Sequence, residues 1–142
     1  MHVSTILKAK GSGVVTIAPI ATLAQAARLL TSKRIGAVVV MQGGQLLGML
    51  SERDIVRAVA VSGAEALERP VSEVMTARVI TCGLNDTVDE LMDAMTEGRF
   101  RHLPVVDRDE VIGIISIGDV VKHRIAETVM ESEALRLYIA NS

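Results

Sequence analysis

Two hydrophobic patterns alternate along this chain. Between Thr22 and Leu30 the apolar residues Leu23, Ala26, Ala27 and Leu30 fall on one face of a helix, as do Leu91, Met92 and Met95 after Thr87. Each stretch opens on a Thr followed three residues later by Gln or Glu: Thr22-Leu-Ala-Gln25 and Thr87-Val-Asp-Glu90. That is the form of a capping box and predicts two helix starts. Gly98 is the expected C-terminal cap of the second helix. The other pattern is continuous. Ala37 to Met41 and Leu46 to Leu50 flank Gly43-Gly44, and the mainly apolar His102 to Val106 and Val111 to Ile115 flank Arg108-Asp109-Glu110. These runs predict β-hairpins, and their lack of alternation predicts strands buried on both faces. Val14-Val15-Thr16-Ile17 reads as a short β-branched strand before the first helix. A further helix starts near Ser51 and another near Ser116.

The order β-α-β-β-α occurs twice. Val14 to Arg57 aligns without a gap on Val79 to Lys122, at a constant offset of 65. Identical pairs include Thr16/Thr81, Thr22/Thr87, Gly48/Gly113, Ser51/Ser116 and Asp54/Asp119. An internal repeat implies two similar units with paired, equivalent crevices. Each copy is preceded by a short helical segment: Val3-Ser-Thr-Ile-Leu7 resembles Val71-Ser-Glu-Val-Met75. The offset there is 68, so the Lys8 to Gly13 stretch carries three extra residues. The expected division is a first repeat over 1–61, a linker over 62–70, a second repeat over 71–125 and a helical tail over 126–142. No Gly or Pro follows Gly118, so the last helix is expected to reach about Ala140, with Val121, Ile125, Val129 and Leu135 among its apolar residues. The fold class is α/β, with two repeats packed by pseudo-two-fold symmetry.

Composition narrows the functional classes. Each repeat alone, at roughly 60 residues, would bury only about 60% of its unfolded surface, so the two should pack together. With no Trp, one Phe and one Tyr, the core must be aliphatic. A net charge of −2 and the lack of aromatic platforms argue against nucleic acid as a partner. The single Cys82 excludes an internal disulfide and a cysteine metal cage. No charged-then-apolar leader and no apolar run near the roughly 20 residues of a membrane span is present, so the chain reads as cytoplasmic. No nucleophile–base pair, phosphate loop or His-Glu-x-x-His motif points to catalysis or a catalytic cofactor, and no metal site is expected.

Gly48-Met-Leu-Ser51-Glu-Arg-Asp54 and Gly113-Ile-Ile-Ser116-Ile-Gly-Asp119 fit G-x-x-[ST]-x-x-D. With Arg101-His102-Leu-Pro-Val-Val-Asp107 and the Val-Thr strands, they make the chain resemble a tandem pair of CBS domains, from Val3 to about Lys122. The resemblance implies a stand-alone sensor module whose clefts bind adenosyl compounds: AMP, ADP, ATP, NAD or S-adenosylmethionine. It implies a homodimer acting on an unidentified protein target. The alternative is a dimeric interaction scaffold that binds no ligand.

Carried onto this sequence, the resemblance assigns two clefts. One combines Thr16, Ile17, Ala21, Ile35, Gly36 and Ala37 with Ser116 and Asp119. The other combines Thr81, Cys82, Asp86, Phe100, Arg101 and His102 with Ser51, Arg53 and Asp54. An ionised Asp only accepts hydrogen bonds, so it should face ribose hydroxyls, while Ser and a helix N-terminus suit phosphate. Ser-x-x-Asp before a helix is equally a capping box. Arg53, Arg101 and His102 favour the second cleft for phosphates, whereas Asp86 opposes them. Each also has a plain reading: solvated charge for the arginines, a structural imidazole for His102. Cys82 is expected in the core, and His2 and His123 are expected to be isolated.

Overall fold

The computed structural model describes residues 1–11 and 13–141, so Ser12 of the Lys8 to Gly13 stretch and the last tail residue, Ser142, lie outside the described residues. The elements are α1 (Val3–Lys10), β1 (Thr16–Ile17), α2 (Leu23–Lys33), β2 (Ala37–Gln42), β3 (Gln45–Ser51), α3 (Glu52–Ser62), a 3-10 helix (Gly63–Glu68), α4 (Val71–Val74), α5 (Val88–Gly98), β4 (His102–Asp107), β5 (Glu110–Ser116) and α6 (Ile117–Ala140). The fold is mixed α/β, and the last helix does reach Ala140.

The chain packs as two compact units, one of residues 13–80 and one of residues 1–12 with 81–142. The packing units therefore cut across the sequence repeats. The segment that leads the second repeat is held by the first: Val71 N–H donates to Ala21 O (2.7 Å), Ser72 N–H to Pro19 O (3.0 Å), and Leu23 N–H to Arg69 O (3.0 Å). The segment that leads the first repeat sits on the second through the same three bonds. Val3 N–H donates to Asp86 O (2.9 Å), Ser4 N–H to Leu84 O (3.1 Å), and Val88 N–H to Met1 O (3.0 Å).

The unit of residues 13–80 has a three-stranded sheet in the order β1-β2-β3. Its core is Leu23, Ala26, Leu30, Val38, Val40, Leu50, Ile55, Ala58, Ala66 and Val71. Ala66 comes from the expected linker, which is a 3-10 helix folded back over the core. In the other unit the core is Val3, Ile6, Leu7, Cys82, Val88, Leu91, Met95, Leu103, Val105, Ile115 and Val120. Each fully buried aliphatic side chain contributes roughly 1.5–3 kcal/mol, so Val3 and Ile6 alone make α1 integral to this unit.

Four local expectations are corrected. The first strand of the second repeat is reduced to one bridge, Cys82 with Val105. Pro104 is the reason: in the first repeat Val39 N–H donates to Val15 O (3.3 Å), and its counterpart Pro104 has no N–H to offer Ile80. The turn between β4 and β5 is only Arg108-Asp109, both left-handed (φ 50° and 64°), matching Gly43-Gly44 in the first hairpin. Gly98 is not the cap: it ends α5, Arg99 takes the left-handed position (φ 57°), and Phe100 covers the space a Cβ on Gly98 would need. His123 is not isolated, since its Nδ1 lies 2.9 Å from Asp119 O.

Candidate functional site

Each predicted cleft draws residues from both units, so the two half-sites are taken one at a time. In the unit of residues 13–80, β2 and β3 pair Ala37 directly with Ser51. Gly36 O accepts from Glu52 N–H (3.0 Å), tying the start of the hairpin to the start of α3. Ile17, Ala21 and Ile35 pack on the core, and Thr16 is exposed on β1. Ser51 caps α3. Its Oγ accepts from Asp54 N–H (3.3 Å), while Ser51 N–H and Oγ–H donate to Asp54 Oδ2 (2.9 and 3.0 Å). Asp54 Oδ1 has no hydrogen-bond partner among the described residues. Arg53 is exposed and makes no ion pair with Glu52 or any other described residue.

The other unit repeats the layout. His102 pairs with Ser116 across β4 and β5, and Arg101 O accepts from Ile117 N–H (2.8 Å). Arg101 and His102 therefore stand beside Ser116 within one unit. Arg101 and Thr81 are exposed, and Phe100 is half-buried over Gly98. Cys82 lies in the core, its Sγ 3.7 Å from Pro104 O. Burial, with the Asp86 carboxylate adding to it, pushes the Cys82 thiol up to about 12, so it stays protonated. Asp86 Oδ2 accepts from Gly83 N–H (2.8 Å), which makes it a turn-former.

Ser116 Oγ accepts from Asp119 N–H (3.1 Å), and Ser116 N–H donates to Asp119 Oδ2 (2.9 Å). Here the two motifs part. Lys10, at the end of α1, donates from Nζ to Asp119 Oδ2 and to Ile114 O, both at 2.7 Å. Partial burial alone would raise the Asp119 carboxyl, but hydrogen bonds from Lys10 and Ser116 outweigh it and hold it below its ordinary range. The Asp119 half-site thus has a cation at its acid, one the sequence reading missed. The available signal was the matched leading helices, which put Lys10 at the place of Arg78; the extra residues after Lys8 hid it.

Both motif glycines are explained by the exchanged helices. A Cβ at Gly48 would lie 2.7 Å from Thr76 O and 2.8 Å from Met75 Sδ, and one at Gly113 would lie 2.7 Å from Leu7 Cδ2. Met75 and Leu7 are counterparts in the two leading segments. The glycine of G-x-x-S-x-x-D is therefore where the leading helix rests on β3 or β5.

The CBS domain family model matches residues 11–61 and 71–126. A CBS-domain protein from Agrobacterium tumefaciens is 49% identical and superposes with a TM-score of 0.86, covering 87% of this chain and 99% of that one. A CBS domain protein from Pyrobaculum aerophilum, solved in complex with AMP, is 28% identical with a TM-score of 0.74, over 84% of this chain and 89% of that one. The CBS domain pair of protein MJ0100, solved with 5′-methylthioadenosine and S-adenosyl-L-methionine, is 25% identical with a TM-score of 0.80, over 89% and 98%.

Proposed function

The chain belongs to the CBS domain family, and from that premise we propose that it is a regulatory module binding an adenosyl ligand such as AMP, ADP, ATP, NAD or S-adenosylmethionine. The observation that carries this reading is the carboxylate in each motif. Oδ2 of Asp54 and of Asp119 is used to cap a helix, while Oδ1 accepts no hydrogen bond among the described residues. A carboxylate oxygen left open beside a helix N-terminus can accept from a ribose hydroxyl while the helix end faces phosphate. The AMP and S-adenosylmethionine complexes of relatives support the same ligand class.

The two acids hold the ribose hydroxyls, and Ser51 and Ser116, at the helix N-termini, face phosphate. Ile17, Ala21, Ile35, Gly36 and Ala37 in one half-site, and Thr81, Cys82 and Phe100 in the other, suit the base. Arg53, Arg101 and His102 suit phosphates. The module works as a homodimer on a protein target and carries out no chemistry of its own. A cytoplasmic setting is part of this reading. Calorimetry of the full chain against adenosine, AMP, ATP, NAD and S-adenosylmethionine tests the reading. Loss of binding in Asp54→Ala or Asp119→Ala supports it, and no binding by the unmodified chain overturns it.

A ligand-independent scaffold is the second reading. It is favoured by the completeness of both capping boxes and by the exposed apolar residues of α6, Ile125, Val129, Leu135 and Ile139. A chain that binds no adenosyl ligand yet remains dimeric would establish it.

A further inference from the structure

The two units satisfy one equivalent strand-edge carbonyl in different ways. Met49 O on β3 accepts from Thr76 N–H (2.8 Å), and Met49 N–H donates to Thr76 O (3.0 Å). Its counterpart on β5 is Ile114, where the donor is the Lys10 ammonium. The cause is helix length. α4 ends at Val74 and lets the chain run beside β3, whereas α1 continues to Lys10 and delivers a side chain instead. That ammonium also reaches Asp119, while Arg78, the counterpart of Lys10, makes no ion pair among the described residues. Two motifs with the same Ser and Asp thus differ by one cation.

We propose that Lys10 is the specificity-determining residue of the Asp119 motif, competing with ribose for the carboxylate and selecting ligands that bring an anion to receive the ammonium. The inference rests on the adenosyl-ligand reading above and deepens it. A vicinal diol binds a carboxylate best through both oxygens. Oδ1 of Asp119 is open, but Oδ2 already accepts from Ser116 N–H and Lys10 Nζ. A bidentate ribose must therefore displace the ammonium. A neutral nucleoside leaves Lys10 with the Ile114 carbonyl alone. A nucleotide offers a phosphate oxygen, which the flexible Lys stem can follow and bond with charge assistance. At Asp54 the second donor to Oδ2 is the neutral Ser51 hydroxyl, so yielding it to ribose breaks no ion pair and selects for no anion.

The Lys10 side chain is 37% exposed, so solvent screening keeps the effect modest. The test is calorimetry with AMP and adenosine on the full chain carrying Asp54→Ala, so that the Asp119 motif alone reports, with and without Lys10→Met. Lys10→Met should tighten adenosine and weaken AMP relative to it, lowering the AMP-to-adenosine affinity ratio roughly two- to fivefold. Lys10→Arg, which keeps the charge, should restore most of the ratio, and Arg78→Met should leave it unchanged. A merely structural Lys10 would shift both ligands by one common factor. An unchanged ratio, or binding that disappears with Asp54→Ala alone, overturns the role of Lys10 and leaves the adenosyl reading standing. No binding of either ligand by the unmodified chain overturns that reading, and the role of Lys10 with it.

Discussion

The two units start from one repeated sequence pattern and close their cores by different means. In the unit of residues 13–80, α3 ends at Ser62, Gly63 (φ 72°) turns the chain back, and Ala66 is fully buried in the core cluster that holds Leu23, Ile55 and Ala58. In the other unit the counterpart helix does not stop. α6 runs straight on to Ala140, the counterpart of Ala58 is His123, and that of Ala66 is the exposed Glu131. No described segment of that unit corresponds to the 3-10 helix; its leading helix α1 carries Val3, Ile6 and Leu7 into the core as the first unit's leading segment carries Val71, Val74 and Met75. Ion pairs from Arg124 to Asp89 (3.1 Å) and from the Met1 amine to Glu127 (3.8 Å) fasten the first turns of α6 to this assembly. Equivalent positions in a repeat thus need not carry equivalent structural weight. What matters is which segment arrives to cover them.

Exchanging the residues at the aligned pair Ala66 and Glu131 should give the largest asymmetry. Ala66→Glu buries a charge and should destabilise the chain by about 3 kcal/mol or more, while Glu131→Ala should stay within about 0.5 kcal/mol. Urea unfolding of both variants measures this. Equal effects would remove the distinction between a closed core and an open helix.

The motif glycines give the next contrast. Gly48→Ala would push a methyl against the Thr76 carbonyl, which belongs to a paired backbone and cannot yield; a loss of roughly 2–3 kcal/mol is expected. Gly113→Ala meets only the tip of Leu7, which can rotate, so about 1 kcal/mol is expected. Thermal unfolding should rank the two in that order.

The turns differ in strain. Gly43-Gly44 adopts positive φ freely, whereas Arg108 and Asp109 hold the same conformation with side chains that disfavour it. Asp109→Gly should therefore stabilise its unit by about 0.5–1 kcal/mol, and the same unfolding assay should show a small upward shift.

The smallest effects concern protons. The Asp119 carboxyl is held low in the folded chain, so its contribution is present at neutral pH and lost as pH falls through its folded pKa, below the ordinary carboxylate range. Lys10→Met should narrow the difference from wild type as the medium is acidified through that window. At the alkaline end the sign is reversed. The Cys82 thiol is raised from 9.0 to about 12, so its contribution is intact below pH 9 and fades as pH rises toward 12. Thiol alkylation at neutral pH should accordingly proceed only as fast as the core opens.

The repeat, its element order apart from the first strand of the second copy, the capping residues Thr22, Thr87, Ser51 and Ser116, and the long last helix were legible from spacing, because they depend on contacts within a few residues. Cys82 as a core residue was legible too, from its place beside an apolar run. Other features were not, and most for a reason of distance along the chain. The loss of a strand before α5 follows from Pro104, more than twenty positions away, which has no N–H for it. The left-handed Arg99 matches its counterpart Arg34 (φ 55°), which follows a lysine, so this helix end belongs to the repeat and not to Gly98. The exchange of leading segments, by which residues 1–12 complete the unit of residues 81–142, has no local signature. The burial of Ala66 and the need for glycine at positions 48 and 113 follow only once the covering segment is in place. So it is with Lys10. The sequence alone determined that two Ser-x-x-Asp motifs would cap two helices. That one aspartate would meet a lysine more than a hundred residues away, and the other none, was decided only when the tertiary structure brought α1 against β5.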